Sequence, residues 1–147
     1  MTKKQQVFDA LTGTARINPE GYSYHTSRGR LSSLSYALAG WLYMLRWQKN
    51  TRIQAAASLA VLMLALWLQV GWTELAILIL TISMVWMAEF MNAAVEAAIN
   101  LTTTEYHPMA KVGKDVSSAA VLLGAVASML IGLLILGPPL LERFGLL

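Results

Sequence analysis

The chain has no cysteine among its 147 residues, which excludes a disulfide framework and a thiolate metal site and leaves the redox compartment unmarked. Charge is scarce as well. Asp, Glu, Lys and Arg make up 13% of the sequence, where an ordinary soluble domain carries about 25%. The two histidines, His25 and His107, are too far apart in sequence to offer the spacing of zinc ligands. Neither a Walker sequence nor a kinase glycine-rich loop occurs, so no soluble nucleotide-binding fold is concealed in the chain. The opening Met1-Thr2-Lys3-Lys4-Gln5-Gln6-Val7-Phe8-Asp9 lacks an apolar core of about 7 to 15 residues before a small-residue site, so no cleaved signal peptide is expected.

What the sequence does have is apolar side chains. They form 56% of the chain, and the mean hydropathy is +0.54, values that belong in a membrane. Three runs approach the ~20 apolar residues a bilayer requires: Ile53 to about Val70, Leu75 to about Asn100, and Val116 to about Leu136. Gly71-Trp72-Thr73-Glu74 is expected to turn the chain between the first two spans, and Leu101 to Asp115 to connect the second and third. Gly137-Pro138-Pro139 is expected to stop the third helix by removing donors. Ala120, Gly124, Ser128 and Gly132 recur every fourth residue, a small-residue face that lets another helix approach.

The net charge of +3 is unevenly placed, since eight of the eleven Lys and Arg residues precede the first span. Lys111 and Lys114 lie in the second connection, while the Gly71 turn carries no cation. By the positive-inside rule the amino terminus and the second connection are expected on the cytoplasmic side. Residues 1–30 mix polar residues with Gly and Pro19 and read as a mobile cytoplasmic arm. From Ser32 to Lys49, Leu34, Leu38, Leu42 and Leu45 fall at helical spacing beside Trp41 and Trp47. This segment reads as an amphipathic surface helix or as an entry helix packed on the bundle.

Within the second span, Glu89, Asn92 and Glu96 fall on one helical stripe about two turns long. A carboxylate at bilayer depth costs about 2.5 to 3.5 kcal/mol on insertion scales, so the pair calls for a compensating cation or substrate. Beyond them come Glu105-Tyr106-His107 and Lys111-Val112-Gly113-Lys114-Asp115. Carboxylates able to hold a divalent cation with a nearby lysine meet the needs of phosphate handling. Read singly, these residues also fit a polar network between helices, a turn before Pro108 and a helix cap. A small ion-coupled transporter, with the glutamates relaying charge, is a further reading.

The run Glu89-Phe90-Met91-Asn92-Ala93-Ala94-Val95-Glu96, followed by Glu105-Tyr106-His107, Lys114-Asp115 and Ser118-Ala119-Ala120-Val121, resembles the prokaryotic diacylglycerol kinases and the related undecaprenol kinases. The resemblance runs from about Leu31 to Leu136. It implies an all-α integral membrane fold, with three transmembrane helices plus an N-terminal amphipathic surface helix, forming a homotrimer in the bacterial inner membrane. It implies a membrane lipid kinase domain over 31–147 that phosphorylates a lipid alcohol, uses ATP as donor with Mg²⁺, and has no nucleic-acid partner. On that resemblance Glu89 is the catalytic base and Glu96 a metal ligand. Tyr36, Asn92, Glu105, Tyr106, His107, Lys114 and Asp115 match positions that support or contact the nucleotide. Two positions depart from the family pattern: Gln48 stands where the resemblance places a second metal-binding glutamate, and Asn100 where it places an aspartate. Gln48 can still offer a carbonyl to the metal, but without charge, so a non-catalytic member of the fold is the alternative reading. His107-Pro108-Met109-Ala110-Lys111 and Tyr36-Ala37-Leu38-Ala39-Gly40 look more like the undecaprenol kinase branch.

Overall fold

A computed structural model describes residues 2, 4–5, 29–103 and 105–146. The arm expected over residues 1–30 therefore lies almost wholly outside the described residues. The chain divides into two compact units, Met1–Leu42 and Tyr43–Leu147. Among the described residues there is helix and no strand, in the order α1 (Arg30–Trp47), α2 (Lys49–Leu68), α3 (Trp72–Thr102) and α4 (Pro108–Arg143).

The start of α1 is held by serines that return to Gly29: the Ser32 hydroxyl donates to the Gly29 carbonyl at 2.6 Å and accepts from its amide at 3.2 Å. Such local side-chain bonds satisfy backbone groups that a helix start leaves open. At 100° per residue, Leu31, Leu34, Leu38, Leu42 and Leu45 form a stripe, with Tyr36, Tyr43 and Trp47 opposite. All are exposed. Helix α1 ends at one extended residue, Gln48, after which the Ala- and Leu-rich α2 begins.

The link from α2 to α3 is shorter than the sequence suggests. Gln69 takes a left-handed conformation (φ 56°, ψ 40°), and the Val70 amide donates back to the Ala65 carbonyl at 3.2 Å, closing the end of α2. Gly71 caps α3, so the turn expected over Gly71–Glu74 is corrected to Gln69–Gly71. Trp72, Thr73 and Glu74 are already helical, and an acidic residue suits that first turn because the amide ends there are partly positive.

Two further corrections concern α4. It starts at Pro108, not near Val116, while α3 ends at Thr102, so the second connection is shorter than expected. His107 caps it, its Nδ1 accepting from the Met109 amide at 3.2 Å, and Pro108 occupies a position where a missing donor costs nothing. Nor does the helix stop at Gly137-Pro138-Pro139; it runs on to Arg143. Proline's φ fits a helix, but each ring removes an amide donor and crowds the carbonyl one turn back, at a cost of about 3 kcal/mol that packing has to offset. Side chains on both sides of the prolines hold the helix in place, because Leu136 is buried in a cluster with Ala65, Leu68 and Leu78 that Ile135 and Leu140 also pack against. The Arg143 guanidinium over the Trp67 ring, 4.7 Å from its centre, ties the end of α4 to the end of α2.

Helices α2, α3 and α4 are each long and apolar enough to cross a membrane. At 1.5 Å per residue, the 31 residues of α3 and the 36 of α4 extend about 46 and 54 Å, past a hydrocarbon core of about 30 Å. Only 6% of the most apolar window of α4 is buried within the chain, so its surface is shaped for lipid or other helices rather than water. Gly124 is the point where the small-residue face meets α3, the Val85 backbone lying 3.9 Å from where a Cβ would stand, whereas Gly132 has no such neighbour within 4 Å.

Candidate functional site

Glu89 is buried on α3, with 4% of its surface exposed. Asn50, from the first turn of α2, lines the same cavity as Glu89. One turn earlier on α3, the Trp86 Nε1 donates to the Ser58 hydroxyl at 3.1 Å, which fixes α2 against α3 beside the carboxylate. Asn50, Gln54, Ser58 and Glu89 line a cavity of about 600 Å³ whose remaining wall is mostly apolar, running from Ile53 along α2, α3 and α4 to Leu140. Gln54 Nε2 and the neighbouring Thr51 Oγ1 are buried without a hydrogen-bond partner. An unpartnered buried polar group is costly, about 1 to 3 kcal/mol, and Gln54, which lines the cavity, suits a position that a polar ligand group satisfies.

Along α3 the stripe continues to Asn92 and Glu96, both half-buried, where the Asn92 Nδ2 donates to Glu96 Oε1 at 3.5 Å. Helix α4 meets this stripe from the side. The Ser117 hydroxyl donates to Asn92 Oδ1 at 2.7 Å, and the Lys114 ammonium donates to Asn100 Oδ1 at 2.8 Å. Gly113 permits this close approach, because a Cβ there would lie 2.8 Å from Ile99 Cδ1 on α3.

Past that contact the two helices part around a second cavity of about 700 Å³, lined by Asn100, Thr103, Glu105, Tyr106, His107, Lys111, Lys114 and Asp115. Lys111 and Asp115 form an ion pair one turn apart on α4. Five of the residues singled out in the sequence, Glu105, Tyr106, His107, Lys114 and Asp115, therefore share one polar cavity. Glu89 lines the other, and Asn92 and Glu96 lie between Glu89 and Asn100 along α3. From Glu89 to Asn100 the helix rises about 16 Å.

The remaining site residues are placed differently. Gln48 is the half-buried extended residue between α1 and α2 and lines neither cavity. Tyr36 is exposed on the part of α1 that belongs to the first compact unit. Among the described residues, no three His, Asp or Glu side chains gather as a metal cluster. Glu96 nonetheless suits a hard cation. Asn92 engages one of its oxygens at long range, and Mg²⁺ is usually held by one or two carboxylates plus substrate phosphates.

Asn50, Thr51, Gln54 and Ser117 are absent from the sequence reading of the site. For the first three a signal existed, since polar residues cluster where the apolar span begins. Ser117 is three residues after Lys114 and so shares its face of α4, but its partner Asn92 depends on how the two helices are packed.

The family model of the prokaryotic diacylglycerol kinases matches residues 35–136. A diacylglycerol kinase from Synechocystis is 39% identical over 113 residues, covering 76% of this chain and 65% of the relative. The undecaprenol kinase of Bacillus subtilis is 38% identical over 95 residues, 65% of this chain and 77% of that protein. The diacylglycerol kinase of Escherichia coli K12 is 31% identical over 120 residues, 81% of this chain and 87% of that protein. The chain thus spans just under two thirds of the length of the Synechocystis relative and a larger share of the other two. With three membrane-length helices, the acidic stripe and this match in hand, the chain belongs to the prokaryotic diacylglycerol kinase family, a family of lipid kinases.

Proposed function

We propose that this protein transfers the γ-phosphoryl group of ATP to the hydroxyl of a membrane lipid alcohol, diacylglycerol or undecaprenol, giving the lipid monophosphate and ADP. The observation that carries the reading is the pair of cavities of opposite character joined by one polar stripe: an apolar one headed by Glu89, Asn50 and Gln54, and a polar one holding Lys114 and Asp115. A lipid alcohol has that same division, a small polar head on a long apolar body.

The head hydroxyl meets Glu89, which accepts its proton as the oxygen bonds to the γ-phosphorus and the bond from that phosphorus to ADP breaks. Phosphoryl transfer depends chiefly on positioning and charge neutralisation, which the site residues are suited to provide. Lys114 supplies positive charge to the phosphates, and Glu105, Tyr106, His107 and Asp115 surround the nucleotide. Glu96, supported by Asn92 and with Gln48 as a neutral carbonyl donor, would hold Mg²⁺, which when bound with the triphosphate offsets its negative charge.

The long apolar surfaces left uncovered on α3 and α4 support a homotrimer in which other copies cover them. The cation-rich segment before α2 supports a cytoplasmic amino terminus and an active site on that side of a bacterial inner membrane, with the leucine stripe of α1 lying along the surface. Residues 1–30 would then form a cytoplasmic arm to the membrane kinase domain over 31–147.

Purified protein in mixed micelles is expected to label a lipid alcohol from ATP in a Mg²⁺-dependent manner, and diacylglycerol and undecaprenol offered side by side identify the preferred acceptor. Absence of transfer to either at saturating Mg²⁺ overturns the reading. Gln48 and Asn100 favour one alternative, a non-catalytic member of the fold, which predicts transfer only after Gln48→Glu.

A further inference from the structure

Ser117 occupies a junction that the reaction above leaves without a role. Its hydroxyl donates to Asn92 Oδ1 at 2.7 Å and also lies 3.0 Å from the Lys114 carbonyl oxygen one turn back. Asn92 is an amide whose two ends offer opposite chemistry, an acceptor oxygen and a donor nitrogen, and its neighbour Glu96 is a pure acceptor when ionised. The orientation that works places the nitrogen toward Glu96, as observed at 3.5 Å, and leaves the oxygen needing a donor on the other side. Ser117 is that donor. Turned by half a rotation, Asn92 would set its oxygen against a Glu96 oxygen, two acceptors facing each other.

We propose that Ser117 is a positioning residue for metal binding: from α4 it fixes the Asn92 amide and so holds Glu96 oriented for a divalent cation. The proposal rests on the assignment of Glu96 as the metal ligand given above. Because the same hydroxyl is anchored near the Lys114 backbone, the metal side of the site and the phosphate-binding lysine are kept in register by one side chain.

The test compares Ser117→Ala, Ser117→Thr, Asn92→Ala and the Ser117→Ala/Asn92→Ala pair in mixed micelles. Two readouts are used: the Mg²⁺ concentration giving half-maximal turnover, and Mn²⁺ binding followed by electron paramagnetic resonance with a non-hydrolysable ATP analogue. Loss of one half-buried hydrogen bond predicts that Ser117→Ala raises the Mg²⁺ requirement and weakens Mn²⁺ binding about fivefold, with turnover at saturating metal little changed. Ser117→Thr keeps the hydroxyl and is expected to restore both. In the Asn92→Ala background the serine has nothing to orient, so its removal is expected to add no further effect. Unaltered metal dependence in Ser117→Ala, or a full additive loss in the double variant, overturns the proposal. A wild-type protein that transfers phosphate to no lipid removes the kinase reading instead, and the Mn²⁺ measurement still decides the role of Ser117.

Discussion

Replacing Gly113 by alanine offers a sharp test of the packing that brings α3 and α4 together. The new methyl group would stand 2.8 Å from Ile99 Cδ1 and 3.9 Å from Cγ1. Cδ1 is the end of a flexible side chain, so the isoleucine can turn away at a cost of about 0.5 to 1.5 kcal/mol for leaving its preferred rotamer. Against that, alanine is favoured over glycine inside a helix by about 0.8 to 1.0 kcal/mol. The two terms nearly cancel, and Gly113→Ala alone is expected to be close to neutral in stability. Shortening Ile99 to valine removes Cδ1 and costs about 0.5 to 1.5 kcal/mol. In that background the obstacle is gone, and Gly113→Ala is expected to stabilise by about 1 kcal/mol, a coupling of about 1 kcal/mol between the two sites. Unfolding midpoints of the four proteins in the same micelles measure it. The KM for ATP is the second readout. It is expected to rise in Gly113→Ala, because the turned Ile99 side chain crowds the Lys114–Asn100 bond beside it, and to recover in the double variant. Strict additivity in both measurements would refute the idea that Gly113 sets the distance between these helices.

The other expectations concern the site more directly. Glu89→Gln and Glu96→Gln are expected to abolish lipid phosphorylation while the proteins still unfold cooperatively, as judged by turnover and circular dichroism. Lys114→Met is expected to raise the KM for ATP at least tenfold and leave the KM for lipid unchanged, which titration of each substrate separates. Gln48→Glu adds a negative charge where the sequence has a neutral donor and is expected to lower the Mg²⁺ concentration needed for half-maximal turnover. Arg143→Ala removes the contact with Trp67 and is expected to cost about 0.5 to 1 kcal/mol of stability, with activity unaffected.

The parts of the molecule that depend on local pattern were legible in the sequence. Membrane spans announce themselves by length and composition, and Glu89, Asn92 and Glu96 share a stripe because helical spacing dictates it. Errors arose where local preference was overruled from a distance. Gly113 and its charged neighbours look like a connection, yet they are helical, and the glycine leaves room for Ile99 of α3. Pro138 and Pro139 look like a stop, yet packing of Leu136 and Leu140 carries the helix past them. The cross-helix pairs, Ser117 with Asn92 and Lys114 with Asn100, were hidden for the same reason: each needs the axial register of α4 against α3, which no single segment encodes. Asn100 is instructive, for what reads as a lost acid in the sequence is in the structure the acceptor of the Lys114 ammonium.

Helices α3 and α4 are longer than a hydrocarbon layer is thick, while a three-residue link holds α2 and α3 together at one end. On the proposed membrane placement the molecule would work as a ruler: with the hairpin seated at one face of the bilayer, membrane thickness would set how far Glu89 stands from the opposite headgroups. In thicker host lipids the carboxylate is drawn away from the aqueous donor, and in thinner ones it nears the surface. Acyl-chain length of the surrounding bilayer should thus tune the turnover of this protein without touching a single side chain.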